Sequence, residues 1–395
     1  MSAHAPAEPV GGKLLTPAFK ALLVIAGFGI IALFIRFTQG LGAATGMNDA
    51  YAFGLWIALD VVMGTAVGCG GYAMAMLVYI ANKGQYHPLV RPAILTGALG
   101  YTFAGTSIII DVGRYWGIWK IPTYVVWWNF DSALLEVALC VMTYMMVLWI
   151  EFSPALLERL KKSPSPGYQN IGNTWGPRMD KAMPWIIALG LLLPTMHQSS
   201  LGTVMMLPVS KVQGLWFSPF LPLLFLINCI FIGYGAVIGE ATISATAFKR
   251  PRETKILSGL APVMIGLIFL FNAIRFLDLL LRGKLGLAFA LDHYAFFFWL
   301  ETVLTLAGAF ILFGQKTRAS GAGLFRAALY ILFGGLLYRF DTYLIAYNPG
   351  AGWSYFPSVL ELTISLGLIS MEIMIYIFLV KKLPVLSGAP AHSTR

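Results

Sequence analysis

The chain has 395 residues, of which 58% are hydrophobic and only 11% charged, with a formal net charge of +10. A charged fraction this far below the quarter or so usual in soluble domains excludes a water-soluble globular fold. The positive balance does not point to nucleic acid either, because it is confined to the edges of long apolar runs. The sequence is that of an integral membrane protein.

Windows of about 20 apolar residues, the length needed to cross a bilayer, predict ten transmembrane helices. They fall at 18-39, 54-81, 91-113, 127-150, 183-205, 219-248, 256-281, 292-315, 324-346 and 357-380. The opening segment MSAHAPAEPVGGKLLTPAFK lacks a basic region leading straight into a short apolar core and a small-residue cleavage site, so no removable signal peptide is expected. Basic residues set the topology. If the N-terminus is inside, most of the 27 Lys and Arg fall in inner loops and flanks, whereas Arg36, Arg114, Lys120, Lys211, Arg282 and Lys284 fall outside. Both termini are therefore expected in the cytoplasm of a bacterial inner membrane. Cys69, Cys140 and Cys229 are single residues within spans, without the spacing of an iron-sulfur or zinc site. They read as packing residues, so a metal cofactor would have to come from a partner.

An internal repeat is suggested by Asp111-Val-Gly-Arg114-Tyr115 in the third span and Asn272-Ala-Ile-Arg275-Phe276 in the seventh, with Glu136 and Glu301 in similar places one span later. The expected fold is all-α, with two pseudo-repeated four-helix bundles, 54-205 and 219-346. Both have the same orientation, because each holds an even number of spans. Flanking helices at 18-39 and 357-380 lead to tails at 1-17 and 381-395. The segment ERLKKSPSPGYQNIGNTWGPRMDKAMP, rich in Pro, Gly and Lys, reads as a cytoplasmic surface linker. Gly64, Gly68, Gly70 and Gly71 read as sites of close helix packing, with a backbone opened for a ligand as the alternative.

Ionisable side chains are costly in hydrocarbon and persist where they carry ions, protons or a polar ligand. With alternating span directions, Asp60, Asp131, Glu361, Asp111, Arg114, His197, Arg275, Asp278, Arg339 and Asp341 all fall in the outer third. Glu136 and Tyr101 come about 14 and 15 Å along their spans, near the midplane, and Glu240 lies about 13 Å from Lys249. Glu372 is well inside the last span. Ion pairing is one reading: Asp111 with Arg114 on one helix face, Arg275 with Asp278, Arg339 with Asp341. The other is a pocket built by Asp60, Asp111, Arg114 and His197 with Gln198 and Ser199, flanked by Trp56, Tyr115, Trp116, Trp119, Trp127 and Trp128. A few converging polar groups in an apolar cleft suit a flat ring with carbonyls at its ends. A quinone is such a ring and is already in the membrane. Quinone reduction takes up two protons, and carboxyls buried in the membrane can carry them. Two axial histidines at equal depth, as a b haem needs, are not evident, since His4 and His392 are in the tails and His87 is in a cytoplasmic turn.

GQYHPLVRPAIL at 84-95, IDVGRYW at 110-116, LLPTMHQSSLG at 192-202 and AYNPGAGWSYFP at 346-357 resemble, in order, the NrfD or polysulfide-reductase membrane-subunit family. The likeness covers essentially the whole chain and is strongest for the branch that serves periplasm-facing nickel-iron hydrogenases. The resemblance implies a quinone, expected to be menaquinone, bound near the periplasmic face by His197, Asp60, Asp111 and Arg114. It implies a proton route through Tyr101, Glu136 and Glu240. It also implies partners: a periplasmic iron-sulfur electron-transfer subunit and the large and small hydrogenase subunits, besides membrane lipid. Members are often labelled b-type cytochromes, but the histidines here do not support a haem, and no iron-sulfur cluster of the chain's own is expected. Three other readings stay open: a family member with a different periplasmic donor, a proton-coupled transporter, and a purely structural anchor. A transporter of that kind is expected to show broken helices at the midplane.

Overall fold

In a bilayer every backbone group must find its partner within the segment, and the apolar runs do so as helices. The computed structural model describes residues 7–388; His4, His392 and Arg395 lie outside the described residues. The long helices are α1 (Pro17–Gln39), α2 (Trp56–Ile80), α3 (Gly84–Asp111), α4 (Ala133–Lys161), α5 (Pro166–Val204), α6 (Leu221–Ala247), α7 (Thr254–Leu281), α8 (His293–Phe313), α9 (Gly321–Ile345) and α10 (Val359–Lys382). Among the described residues all but α5 are long and apolar enough on composition alone to cross a membrane. The exception is the longest, with 39 residues. Its apolar half is diluted by Pro194, Thr195, His197, Gln198, Ser199 and Ser200.

Side-chain caps fix several starts. Thr16 accepts from the Phe19 N–H at 3.3 Å with Pro17 next to it, Asp292 from Ala295 at 2.8 Å, and Ser320 from Gly323 at 2.9 Å. Ser358 and Glu361 form a reciprocal capping box at α10.

α2 to α5 pack as one four-helix bundle and α6 to α9 as a second, joined where α6 lies against α2 and α5. α1 and α10 pair with each other and lie along α2 and α3. They cross where Gly29 meets Gly367. A Cβ built on either glycine would stand 2.6 Å from the other's Cα, so only glycine fits. The glycines of α2 serve packing too: Gly68 faces Gly97 and the Tyr101 ring, and Gly70 and Gly71 face Val237 and Ile94. α2 itself is irregular, with π-helical turns at Trp56–Met63 and Met76–Ile80.

Both described ends lie on one face of the molecule, hereafter the terminal face. Strands β1 (Ala7–Glu8) and β2 (Leu386–Ser387) pair antiparallel, Ala7 opposite Ser387. Arg250 donates to the Ser387 carbonyl at 2.6 and 3.0 Å, and Arg91 to the Pro384 carbonyl at 2.8 Å, tying the C-terminal segment down.

Two expectations are corrected here. The segment at 158–184 is not a surface linker: α4 runs to Lys161 and α5 starts at Pro166, so it forms the end of a continuous helical hairpin. Its glycines are what let the two helices touch, Gly172 lying against Leu157 and Lys161. Nor does the fourth span begin at 127. Ser132 caps α4 by accepting from Leu135 at 3.3 Å, and residues 112–132 form short turns outside the bundle. The aromatic run Tyr124–Trp128 had been apolar enough to merge with the helix.

Candidate functional site

The first bundle encloses a polar centre built from three helices. α5 supplies His197 and Gln198, α3 supplies Tyr101, and α2 supplies Thr65; His197, Gln198, Tyr101 and Thr65 are all fully buried. His197 lies about 10 Å from the far end of α5. The Tyr101 hydroxyl is 2.8 Å from His197 Nε2. Gln198 Nε2 reaches the same nitrogen at 3.0 Å, Thr65 Oγ1 at 3.2 Å and the Tyr101 hydroxyl at 3.3 Å. His197 Nδ1 stands 3.0 Å from the Leu193 carbonyl, which can only accept. That contact places a proton on Nδ1 and leaves Nε2 to accept from Tyr101 or Gln198. Tyr144 of α4 packs edge-on against Tyr101, with ring centroids 4.6 Å apart, and at 6.1 Å from the His197 ring. Among the described residues nothing hydrogen-bonds the buried Gln198 carbonyl oxygen. This arrangement can hold a proton at His197 Nδ1, pass one between Tyr101, Gln198 and Nε2, and offer an acceptor and a donor to a polar ring.

Asp60 and Asp111 are not part of that hydrogen-bonded centre. Asp60, on the first π-helical stretch of α2, points to α10 and accepts from the Ser365 hydroxyl at 2.7 Å. Asp111 ends α3 close to Arg36 of α1. Arg36 is 1% exposed and donates to the carbonyls of Ile110 at 2.9 Å and Val112 at 3.0 Å. α1 therefore supplies the cation that satisfies the end of α3. Arg114, expected as the compensating charge, lies beyond the helix end and is exposed. It shares no helix face with Asp111. Near these residues, the Tyr355 hydroxyl donates to Glu361 at 2.5 Å and accepts from the Leu55 N–H at 2.8 Å. Burial first, then the neighbouring Glu361, holds the Tyr355 phenol well above its usual range, so it stays a donor.

The expected ladder Tyr101, Glu136, Glu240 is not assembled. Tyr101 belongs to the His197 centre. Glu136 lies in the first turn of α4, at the far end and not at the midplane, because that helix starts at Ala133. Glu240 of α6 is hydrogen-bonded by the Tyr376 hydroxyl of α10.

The second bundle holds its charges differently from the expected pairs. Arg275 is bound to Glu301 at 2.6 Å and lies 4.7 Å from the Phe298 and Tyr338 ring centres; Glu301 also accepts from Trp216 at 3.3 Å. Asp278 pairs with Arg282 at 2.6 Å. Arg339 donates to Asn228 at 2.6 Å and to the carbonyls of Phe225 at 2.7 Å and Val62 at 3.1 Å, and Asp341 stands beside Glu301 instead. Apart from Asp278–Arg282, which are one helical turn apart, every partner here lies on another helix or loop, where local spacing does not reveal it. The Arg339 bond to Val62 ties the two bundles together.

The described histidines do not fit an axial pair for a haem. His197 is bonded at both ring nitrogens, His293 is exposed at the start of α8 against Tyr294, and His87 lies in the first turn of α3 on the terminal face. Among the described residues no group of three or more His, Cys, Asp or Glu could hold a metal ion.

Residues 43–347 match the family model described as polysulphide reductase, NrfD. The chain is 41% identical over 391 residues to the probable Ni/Fe-hydrogenase 2 b-type cytochrome subunit of Escherichia coli, covering 97% of this chain and 95% of that one. It is 30% identical over 185 residues to the menaquinone reductase integral membrane subunit of Nitratidesulfovibrio vulgaris, covering 46% of this chain and 41% of that one. To the Hdr-like menaquinol oxidoreductase integral membrane subunit of Archaeoglobus fulgidus it is 21% identical over 393 residues, 91% of each chain. The matched family region leaves out α1 and all of α10, and so Arg36, Ser365 and Tyr376 come from outside it.

Proposed function

Because the chain belongs to the NrfD polysulphide-reductase family of membrane subunits, we propose that it passes electrons between a redox partner at its far face and the quinone pool, taking protons from the terminal face. The observation that carries this reading is the buried centre of His197, Tyr101 and Gln198. It is a hydrogen-bonding end built inside an otherwise apolar bundle, which is how small-ligand sites are made. The neutral His197 ring accepts from Tyr101 at rest. Once protonated, it becomes a donor toward a reduced quinone oxygen, and Tyr101 with Gln198 hold the ring in place. Asp60 and Asp111 are carboxyls on the neighbouring helices, at the same end, for exchange of the second proton. Arg114 belongs to the exposed far-face surface.

The terminal face carries most of the basic loops, which supports a cytoplasmic placement. The partner is then periplasmic. The 41% identity to a Ni/Fe-hydrogenase subunit supports nickel-iron hydrogenase subunits as the source of electrons, with a periplasmic iron-sulfur subunit proposed between them, and the menaquinone reductase relative supports menaquinone as the acceptor. Electrons entering from one side and protons from the other move charge across the bilayer, opposed or driven by about 2.3 kcal/mol per charge per 100 mV.

The test is His197→Ala in the complex purified from membranes with its native partners. The partners are identified by mass spectrometry, and reduction of a short-tail naphthoquinone is followed optically. Loss of an acid-base group predicts a rate about a hundredfold lower or more, with assembly intact. A fully assembled variant that reduces the quinone at the wild-type rate refutes the site.

A further inference from the structure

A cavity of about 750 Å³ opens on the terminal face between α3, α4, α5 and the terminal strands. Lys161, Lys162, Asp180 and the Arg91–Glu158 pair (2.7 Å) line its mouth. Glu151 lines its inner end, ten residues before Lys161 and so about 15 Å inward along α4. Glu151 continues the inward-facing stripe of Val137, Val141, Tyr144 and Leu148, so it faces the bundle and not the lipid. Among the described residues nothing pairs with or hydrogen-bonds its carboxyl.

The neighbouring helix is built around that carboxyl. A Cβ on Gly190 would come within 3.3 Å of Glu151 Oε2, so the glycine leaves the carboxyl its room. Pro194, four residues on, has no N–H to give the Gly190 carbonyl, so that carbonyl lacks its usual helical donor. One residue further, Thr195 accepts from the Tyr72 hydroxyl at 2.8 Å, its own proton being directed to the Leu191 carbonyl at 2.8 Å. Along α5 Thr195 stands about 7.5 Å beyond Gly190, and on α2 Tyr72 lies three residues after Cys69, whose Sγ is 3.5 Å from the Tyr101 hydroxyl. The gap along α5 suits one or two waters, and Tyr144 lies seven residues above Glu151 against the His197 ring.

We propose that Glu151 is the residue that loads protons from the cytoplasmic cavity and passes them, by way of the Tyr72–Thr195 hydroxyls, to the His197–Tyr101 centre. This rests on the quinone reading above. Reduction of one quinone to its quinol consumes two electrons from the far-face partner and two protons. For each proton it relays, Glu151 gives its own inward and is reprotonated from the cavity. Oxidation of the quinol runs the same steps in reverse.

The experiment uses the whole complex in liposomes with the terminal face outward, reduced benzyl viologen as electron donor and a short-tail naphthoquinone as acceptor. Naphthoquinone reduction and proton uptake from the outer medium are recorded together, and naphthoquinone binding is followed by quenching of tryptophan fluorescence. Glu151→Gln is expected to slow reduction and uptake about tenfold or more, with unchanged binding and assembly. Glu151→Asp is expected to recover much of the rate, and azide, a small weak acid that carries protons itself, to accelerate Glu151→Gln but not the wild type. Wild-type rates and uptake in Glu151→Gln overturn the proposal. So does a slowed, assembled variant that neither aspartate nor azide restores, because that outcome marks a packing role. A wild-type complex that neither binds nor reduces the naphthoquinone overturns the quinone reading itself, and this inference with it.

Discussion

The Arg275–Glu301 pair gives the sharpest test of whether the second bundle's charges are structural. The two groups are 4% and 1% exposed and 2.6 Å apart. Removing one member of such a pair strands the other, at about 3–5 kcal/mol. Glu301→Leu falls at the lower end, near 3 kcal/mol, because Arg275 keeps the Phe298 and Tyr338 faces and has Asp341 close to its lost partner. Arg275→Met falls at the upper end, since it leaves Glu301 and Asp341 side by side with only the Trp216 bond to Glu301. The double variant removes the reason for both penalties, so the two effects should fail to add by about 2–3 kcal/mol. The assay is a titration of folded complex with denaturing detergent in mixed micelles, run as a double-mutant cycle. Naphthoquinone reduction per assembled double-variant complex should equal that of the wild type. Additivity within about 0.5 kcal/mol, or a lost rate in fully assembled complex, refutes the reasoning.

Tyr101→Phe removes the hydroxyl shared by His197 and Gln198, and should destabilise the complex by about 1–3 kcal/mol and slow naphthoquinone reduction with little change in its binding, as measured by steady-state kinetics and fluorescence quenching. Arg36→Leu leaves the Ile110 and Val112 carbonyls without their donor and Asp111 without its nearby cation; α1 should become accessible to protease in membranes where the wild type is protected. Gly29→Leu places a side chain where the α10 backbone stands, and overpacking of about 1–3 kcal/mol should lower the thermal midpoint in detergent, whereas the neighbouring Gly27→Leu, with open space around it, should not.

Much of the fold is written in local sequence. Long apolar runs bounded by Thr16, Asp292, Ser320 and Ser358 announce helices together with their caps, and the lone ionisable residues within them mark the interior. Partners are not local. Tyr101 and His197 are 96 residues apart, and Arg36 serves a helix end 74 residues away, so neither contact leaves a periodic trace. Depth misled in one place, because Tyr124–Trp128 is as apolar as a helix and moved Glu136 inward by two turns. Composition misled in another, where Pro and Gly in 164–177 suggested a loop although Pro166 starts a helix and the glycines let it touch α4. Glu151 had a legible signal: it lies seven residues after Tyr144 on the buried face. In LWIEFSP it falls one residue beyond the span expected at 127-150, although the helix runs on to Lys161.

The meeting of Gly29 with Gly367 also bears on traffic in the plane of the bilayer. With two backbones in direct contact, no acyl or isoprenoid chain can slip between α1 and α10 at that depth. Asp60 and Ser365, which lie behind this seam, are therefore screened from lateral approach on that side. Any lipid-borne molecule entering the first bundle would have to arrive through another seam.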